Sequence, residues 1–197
     1  DLGDVVMVNA MWVKPLVPDS RPEWMLDGSR GGGMGQMDGT HLIDRLIWLL
    51  GDDIYSVRGT TCHYTHPHLN SDDSGQHFLR WKSGITACIT RMGWDHGITE
   101  YGADYYFTKG QAKHRRAYGQ TGETGVWVEK DNEWQNVPFD EIDSQKVQFN
   151  DFVQAVIRGD SDAPTPMTHG RKVIRVFDAT EESHRTGREV ILDDLMS

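Results

Sequence analysis

Cysteine is nearly missing from this sequence: Cys62 and Cys88 are the only two in 197 residues, too few for a disulfide framework. Free thiols in a chain of this size fit a reducing compartment, which points to the cytoplasm. Long apolar runs are lacking as well. The longest, such as Leu46 to Leu50, fall far short of the roughly 20 residues that a membrane span needs, and the opening Asp1-Leu2-Gly3-Asp4 has no basic-then-apolar leader pattern. Positive charge is the third scarcity. Lys plus Arg is 20 against 30 for Asp plus Glu, a formal net charge of -10, so the chain lacks the basic footprint that phosphate-backbone binding requires. Neither nucleic acid nor an anionic membrane surface is an expected partner.

What is present is enough for one core-forming domain over residues 1–197. The chain has no initiator Met and runs at once into Val5-Val6-Met7-Val8, as expected of a piece of something longer. Residues 4–13 are rich in Val, Met and Trp with no breaker and predict a strand buried on both faces. After a Pro-rich connection comes Gly31-Gly32-Gly33-Met34-Gly35, leading into apolar positions 42, 43, 46, 47 and 50. That spacing describes one buried helix face, and Gly51 stops it. Residues 53–63 and 76–92 read as strands, with further strands near 99–108, 111–118 and 125–129 separated by Gly-containing turns such as Lys109-Gly110 and Thr121-Gly122-Glu123. The helical period returns at Phe149, Phe152, Val153, Val156 and Ile157, between Asp143-Ser144 and Gly159. It returns again at Val173, Val176, Phe177 and Thr180, after Pro166 and before Gly187, and the chain closes on a strand-like Glu189-Val190-Ile191-Leu192. The fold class expected is α+β: an open, largely antiparallel sheet, a strand meander, with helices on one face.

The run Gly31-Gly32-Gly33, followed by Gly39-Thr40-His41-Leu42-Ile43-Asp44 and Trp48-Leu49-Leu50-Gly51, resembles the GGG…G-x-H-x-x-D…WLLG signature of the Gfo/Idh/MocA oxidoreductases. The opening Leu2-Gly3-Asp4-Val5-Val6 and the closing Gly170-Arg171 through Glu182 to Arg188 agree with it. The resemblance implies a two-domain enzyme in which an N-terminal Rossmann domain binds NAD or NADP and a C-terminal α/β domain carries the substrate site and the oligomer interface. This chain resembles only the second, so the dinucleotide-binding domain is expected to be absent from it, and no cofactor-binding residue is assigned. Gly31 to Gly35 lacks the preceding strand of a dinucleotide fingerprint and reads as a structural turn.

Hydride transfer from a secondary alcohol needs a base within hydrogen-bond reach of the hydroxyl. His41 falls on the active-site His of the family it resembles. As read from the sequence it lies in the first turns of a helix, where the dipole favours a neutral ring; the plainer alternative is a histidine that merely bonds a neighbouring carbonyl. The family pattern D-x-G-x-H places an Asp four residues earlier, and this chain has Met37 there. Asp38 either supplies the missing carboxylate from a shifted backbone or caps the helix. Trp24, Arg21, Met37 and Thr40 complete the expected substrate pocket, which would take a sugar, inositol or related polyol; ordinary core burial is the alternative for Trp24. Asp44 and Arg45 share the helix face of His41. Cys62-His63-Tyr64-Thr65-His66-Pro67-His68, with Asp72 and Asp73 beyond, has metal-ligand residue types, but a Pro-interrupted loop does not guarantee tetrahedral geometry, and a flexible loop rimming the pocket is the preferred reading. The basic run Lys113 to Arg116 reads as a solvated face or interface edge. Glu182 and Ser183 are explained by packing as well as by catalysis. Two functions follow: the substrate half of an NAD(P)-dependent oxidoreductase, inactive as an isolated chain, or a binding module of the same fold that has lost its chemistry and associates through the open sheet as a homo-oligomer.

Overall fold

The computed structural model describes residues 1–51, 54–117, 122–140, 142–160 and 166–192. The predicted strand start at Asp53, Tyr118 of the predicted strand 111–118 and Thr121 of the predicted turn lie outside them. Nine strands form one open sheet: β1 Val5–Pro15, β2 Ile54–Cys62, β3 Ser74–Trp81, β4 Thr86–Trp94, β5 Glu100–Phe107, β6 Gln111–Arg115, β7 Gly125–Lys130, β8 Glu133–Val137 and β9 Val190–Ile191. Their spatial order is β8-β7-β6-β5-β1-β4-β3-β2-β9. The sheet is mixed, because β1 lies between β4 and β5 and runs parallel to β4, while every other pairing is antiparallel. The simple meander is thus corrected: β2 to β4 and β5 to β8 are two meanders joined across β1.

β1 is not buried on both faces. Val8 and Ala10 are buried against the helices, whereas Met7 and Asn9 point outward and are exposed. The helix-facing rows of the sheet, including Val57, Leu79, Ala87, Ile89 and Ala103, form one core with two helices, α1 (Thr40–Leu50) and α3 (Met167–Thr186). Helix α1 buries Leu42, Ile43, Leu46 and Ile47, the stripe read from the sequence, and leaves Trp48 outside. Its C-terminus closes where the Trp81 indole donates to Gly51 O at 2.9 Å. Helix α3 buries Val173, Val176, Phe177, Thr180 and Ser183, packing on β2 and meeting β3 where Thr180 bonds His77. Ser183 Oγ donates to Arg188 O and accepts from Gly59 N, so this residue pins helix to sheet.

Helix α2 (Ser144–Arg158) starts at Asp143, whose carboxylate accepts from Lys146 N, and ends at Gly159 with φ 71°. Its position matches the periodicity, yet the expected burial fails: Phe149, Phe152, Val156 and Ile157 are exposed at 57–70% and Ala155 alone is buried. The strand β8 was not visible in the sequence because its residues are mostly exposed and polar. A signal existed in Asp131-Asn132, both at positive φ (56° and 65°), which is the backbone a two-residue hairpin turn demands.

Candidate active site

The Gly-rich segment shapes everything around it. Gly33 has φ 112°, a conformation closed to most side chains, and a Cβ there would fall 2.2 Å from an Asp72 carboxylate oxygen. From Met34 the chain turns helical, first as a π-helix over Gly35–Gly39 and then as α1. Asp72 receives the Gly35 N–H at the start of this helix, where the free amides favour a carboxylate. Asp72 is also paired with Arg91, whose Nε donates to His77 Nε2 at 3.2 Å. Accepting at Nε2 leaves His77 Nδ1 to donate to Thr180 Oγ1 at 2.7 Å, and that hydroxyl donates to Val176 O. Burial, reinforced by the Arg91 charge, pushes the His77 imidazole down to about 3. Burial raises the Asp72 carboxyl above its usual range against the pull of Arg91. The pairing of Asp72, Arg91, His77 and Thr180 was not legible in the sequence, because these residues lie far apart in the chain.

Two hollows flank the helical segment. A cleft of about 930 Å³ opens between it and α3, lined by Gln36, Thr40, His41, Asp44, His169, Arg171, Arg175, Asp178 and Glu182 together with apolar residues. A small cavity of about 40 Å³ lies on the other side, lined by Lys14, Arg21, Met37, Asp38 and Ser71 among others. The expected site residues are divided between them: Thr40 and His41 face the cleft, while Arg21, Met37 and Asp38 face the cavity. Trp24 lines neither and is 39% exposed, so core burial does not describe it. Trp12, in the second half of β1, neighbours one residue of each hollow, His41 and Lys14. Its ring is 5.8 Å from that of His41 and 4.7 Å from that of Tyr101, and Lys14 Nζ is 4.9 Å from its centroid.

Three details differ from the sequence reading. Asp38 is no helix cap; its Oδ1 accepts from Lys14 Nζ at 2.6 Å, and no side chain caps α1. His41 is not at a helix start either, because the π-helix precedes it. The field of the helix N-terminus, felt within the first turn, therefore falls on Gly35 and Gln36, and the exposure of His41 is what leaves its ring accessible. Asp44 and Arg45 part company: Asp44 Oδ1 pairs with His169 Nε2 at 2.5 Å inside the cleft, whereas Arg45 lies 4.4 Å over the Tyr101 ring and against His114. Burial, with Arg45 and Arg115 alongside, pushes the His114 imidazole down to about 4.

The histidine-rich loop is knit rather than flexible, and it does not rim the cleft. Asp73 accepts from the amides of Tyr64, Thr65 and His66; burial opposes its ionisation, but these bonds and the Ser74 hydroxyl hold the carboxyl below its usual range. His66 pairs with Asp95 and His63 Nδ1 with Ser71 O. Among the described residues, no group of three or more His, Cys, Asp and Glu side chains is arranged to hold a metal. Strand alternation divides the basic run: Lys113, over Trp127 and Trp134, shares its face with Arg115, which binds both Asp104 carboxylate oxygens, while His114 between them faces Arg45 and Tyr105.

The family model for the oxidoreductase family, C-terminal alpha/beta domain, matches residues 1–192, and the chain belongs to that family. A comparison with curated proteins finds no match. Among solved structures, it is similar over 100% of its length to a protein from Desulfitobacterium hafniense assigned as an NADPH-dependent oxidoreductase (TM-score 0.84, 17% identity, 59% of that chain). It is similar over 98% to an oxidoreductase from Agrobacterium radiobacter in complex with NAD+, L-tartaric acid and magnesium (TM-score 0.79, 16% identity, 58% of that chain). A third likeness, over 96%, is to the WlbA dehydrogenase from Bordetella pertussis in complex with NADH and UDP-GlcNAcA (TM-score 0.73, 21% identity, 55% of that chain). At such identities the likeness establishes the fold. The chain spans less than two thirds of the length of each of these structures. Among the described residues, no helix is long and apolar enough to cross a membrane.

Proposed function

We propose that this domain is the substrate half of an NAD(P)-dependent oxidoreductase acting on a sugar, inositol or related polyol, with His41 as its general acid/base. One observation carries the reading: an exposed imidazole on the wall of a cleft of about 930 Å³, in a domain of an oxidoreductase family. A cavity of that order is the size of a small-ligand site.

The residues fit the reacting end of a nicotinamide nucleotide and not its phosphates. Gly31 to Gly35 follows a 3-10 turn instead of a strand, and the last amide of the run, Gly35 N–H, is taken by the Asp72 carboxylate, which would repel a pyrophosphate. The dinucleotide is therefore assigned to a second domain of the whole protein. When bound, the nicotinamide supplies the hydride acceptor or donor. His41 accepts the hydroxyl proton as the alcohol is oxidised and returns it in the reverse direction; Trp12 packs beside the His41 ring and limits its swing. Thr40 hydrogen-bonds a substrate hydroxyl, and Trp24 offers an aromatic face at the margin. The soluble half-enzyme works in the cytoplasm and assembles into a homo-oligomer through the outer face of the sheet, where Met7, Phe78, Tyr106 and Trp134 are 36–45% exposed.

The test is polyol oxidation by the whole protein, followed as NAD(P)H formation over a panel of sugars, sugar acids and inositols. Turnover that collapses in His41→Ala supports the reading. The second reading, an inactive assembly module, rests on Met37 standing where the family pattern has Asp; a whole protein that binds NAD(P) but is inert across the panel supports that one.

A further inference from the structure

We infer that the small cavity beside Met37 is a subsite for an anionic substituent, so that a sugar acid or a comparable hydroxy acid is preferred over a neutral polyol. This rests on the proposed dehydrogenase reading for its catalytic arm only. The cavity wall carries two cations, Lys14 and Arg21, and one carboxylate, Asp38. Asp38 is engaged by Lys14 at 2.6 Å, and that pair leaves the Arg21 charge unmatched. The Arg21 Nε is buried and has no hydrogen-bond partner among the described residues. A buried guanidinium N–H without an acceptor is costly, and a carboxylate is the acceptor whose charge and planar fork suit it best.

Size and position agree with that assignment. One water-sized probe needs roughly 10–15 Å³, so a cavity of about 40 Å³ holds a group of about three heavy atoms, the size of a carboxylate and far smaller than a sugar ring. Trp12 links the two sites: its ring lies 4.9 Å from the Lys14 ammonium and 5.8 Å from the His41 ring. The subsite is therefore assigned to a substituent that reaches past the edge of Trp12, from a ring whose hydroxyl meets His41, to Lys14 and Arg21. Met37 lines the same cavity, and its thioether keeps the local charge positive where an Asp at this position would cancel it.

The experiment has two arms on the whole protein. In the first, the Arg21 side-chain Nε–H resonance, assigned by its loss in Arg21→Lys, is followed by NMR as sodium acetate is added, with acetamide as the uncharged control. The inference predicts a saturable shift with acetate, none with acetamide, and a clearly weaker response in Met37→Asp. A resonance indifferent to acetate, or moved equally by acetamide, overturns it, and this arm requires no turnover. In the second, kcat/KM is compared for matched pairs such as glucuronate against glucose and gluconate against glucitol. The acid-over-neutral ratio is expected to fall about tenfold or more in Arg21→Gln, the scale of one charge-assisted hydrogen bond. A preference for the neutral member in wild type, or an acid-over-neutral ratio untouched by Arg21→Gln, contradicts the inference. Absence of turnover on every compound counts against the dehydrogenase reading, and the acetate titration then decides the subsite by itself.

Discussion

At the residue scale, His77 and Gly35 carry the sharpest expectations. His77 is neutral in the fold down to about pH 3, while the same imidazole in the unfolded chain takes a proton near 6.5. Between those values the unfolded state binds more protons, so stability is intact above about 6.5 and is lost as pH falls toward 3. His114 adds to the loss between about 6.5 and 4. Each contributes up to ~1.4 kcal/mol per pH unit. Urea melts of wild type and His77→Gln at pH 7.5, 6 and 5 should show a shallower slope in the variant; equal slopes would refute the assignment. Gly35 answers to space: a Cβ would sit 2.0 Å from the Phe177 ring, so Gly35→Ala should cost ~1–3 kcal/mol in the same assay. The candidate His and the glycines could be read from the chain because their signal is local. The partners of Asp44, Asp38 and Asp72 could not, since His169 is 125 positions from Asp44, Lys14 24 from Asp38 and Arg91 19 from Asp72.

At the scale of elements, the helical segment 34–50 is held by one buried ion pair at its start. Removing one partner of such a pair leaves a buried charge and costs about 3–5 kcal/mol. Arg91→Met is therefore expected to destabilise the chain by that order and to loosen the approach to His41, whereas Arg91→Lys, which keeps charge but loses the fork, should fall between. Helix α2 makes the opposite case. Because Phe149 and Phe152 are exposed at 70% and 57%, Phe149→Gln with Phe152→Gln should change the stability of this chain by less than ~0.5 kcal/mol. Periodicity located all three helices, since a 3.6-residue stripe is written in the sequence. It did not say which stripe is covered, because cover is supplied by distant segments, and among the described residues the large side chains of the α2 stripe are left exposed. The parallel β1–β4 pair was illegible for the same reason: strand order depends on crossovers that no local pattern encodes.

At the scale of the whole molecule, the proposed function assigns the outer sheet face and the cleft to different tasks. The proposed oligomer uses the outer face, so Phe78→Glu with Met7→Glu should shift the mass from light scattering toward the monomer while the fold is retained; an unchanged mass would remove that face from the assembly. The proposed function gives the cleft the chemistry. The most direct measurement is kcat/KM for alcohol oxidation by the whole protein, wild type against His41→Ala, with NAD(P) affinity measured in parallel. A fall of about 10²–10⁴-fold with cofactor affinity held within a few-fold is the predicted result. A variant that turns over substrate as wild type does would contradict the assignment of His41 as the acid/base.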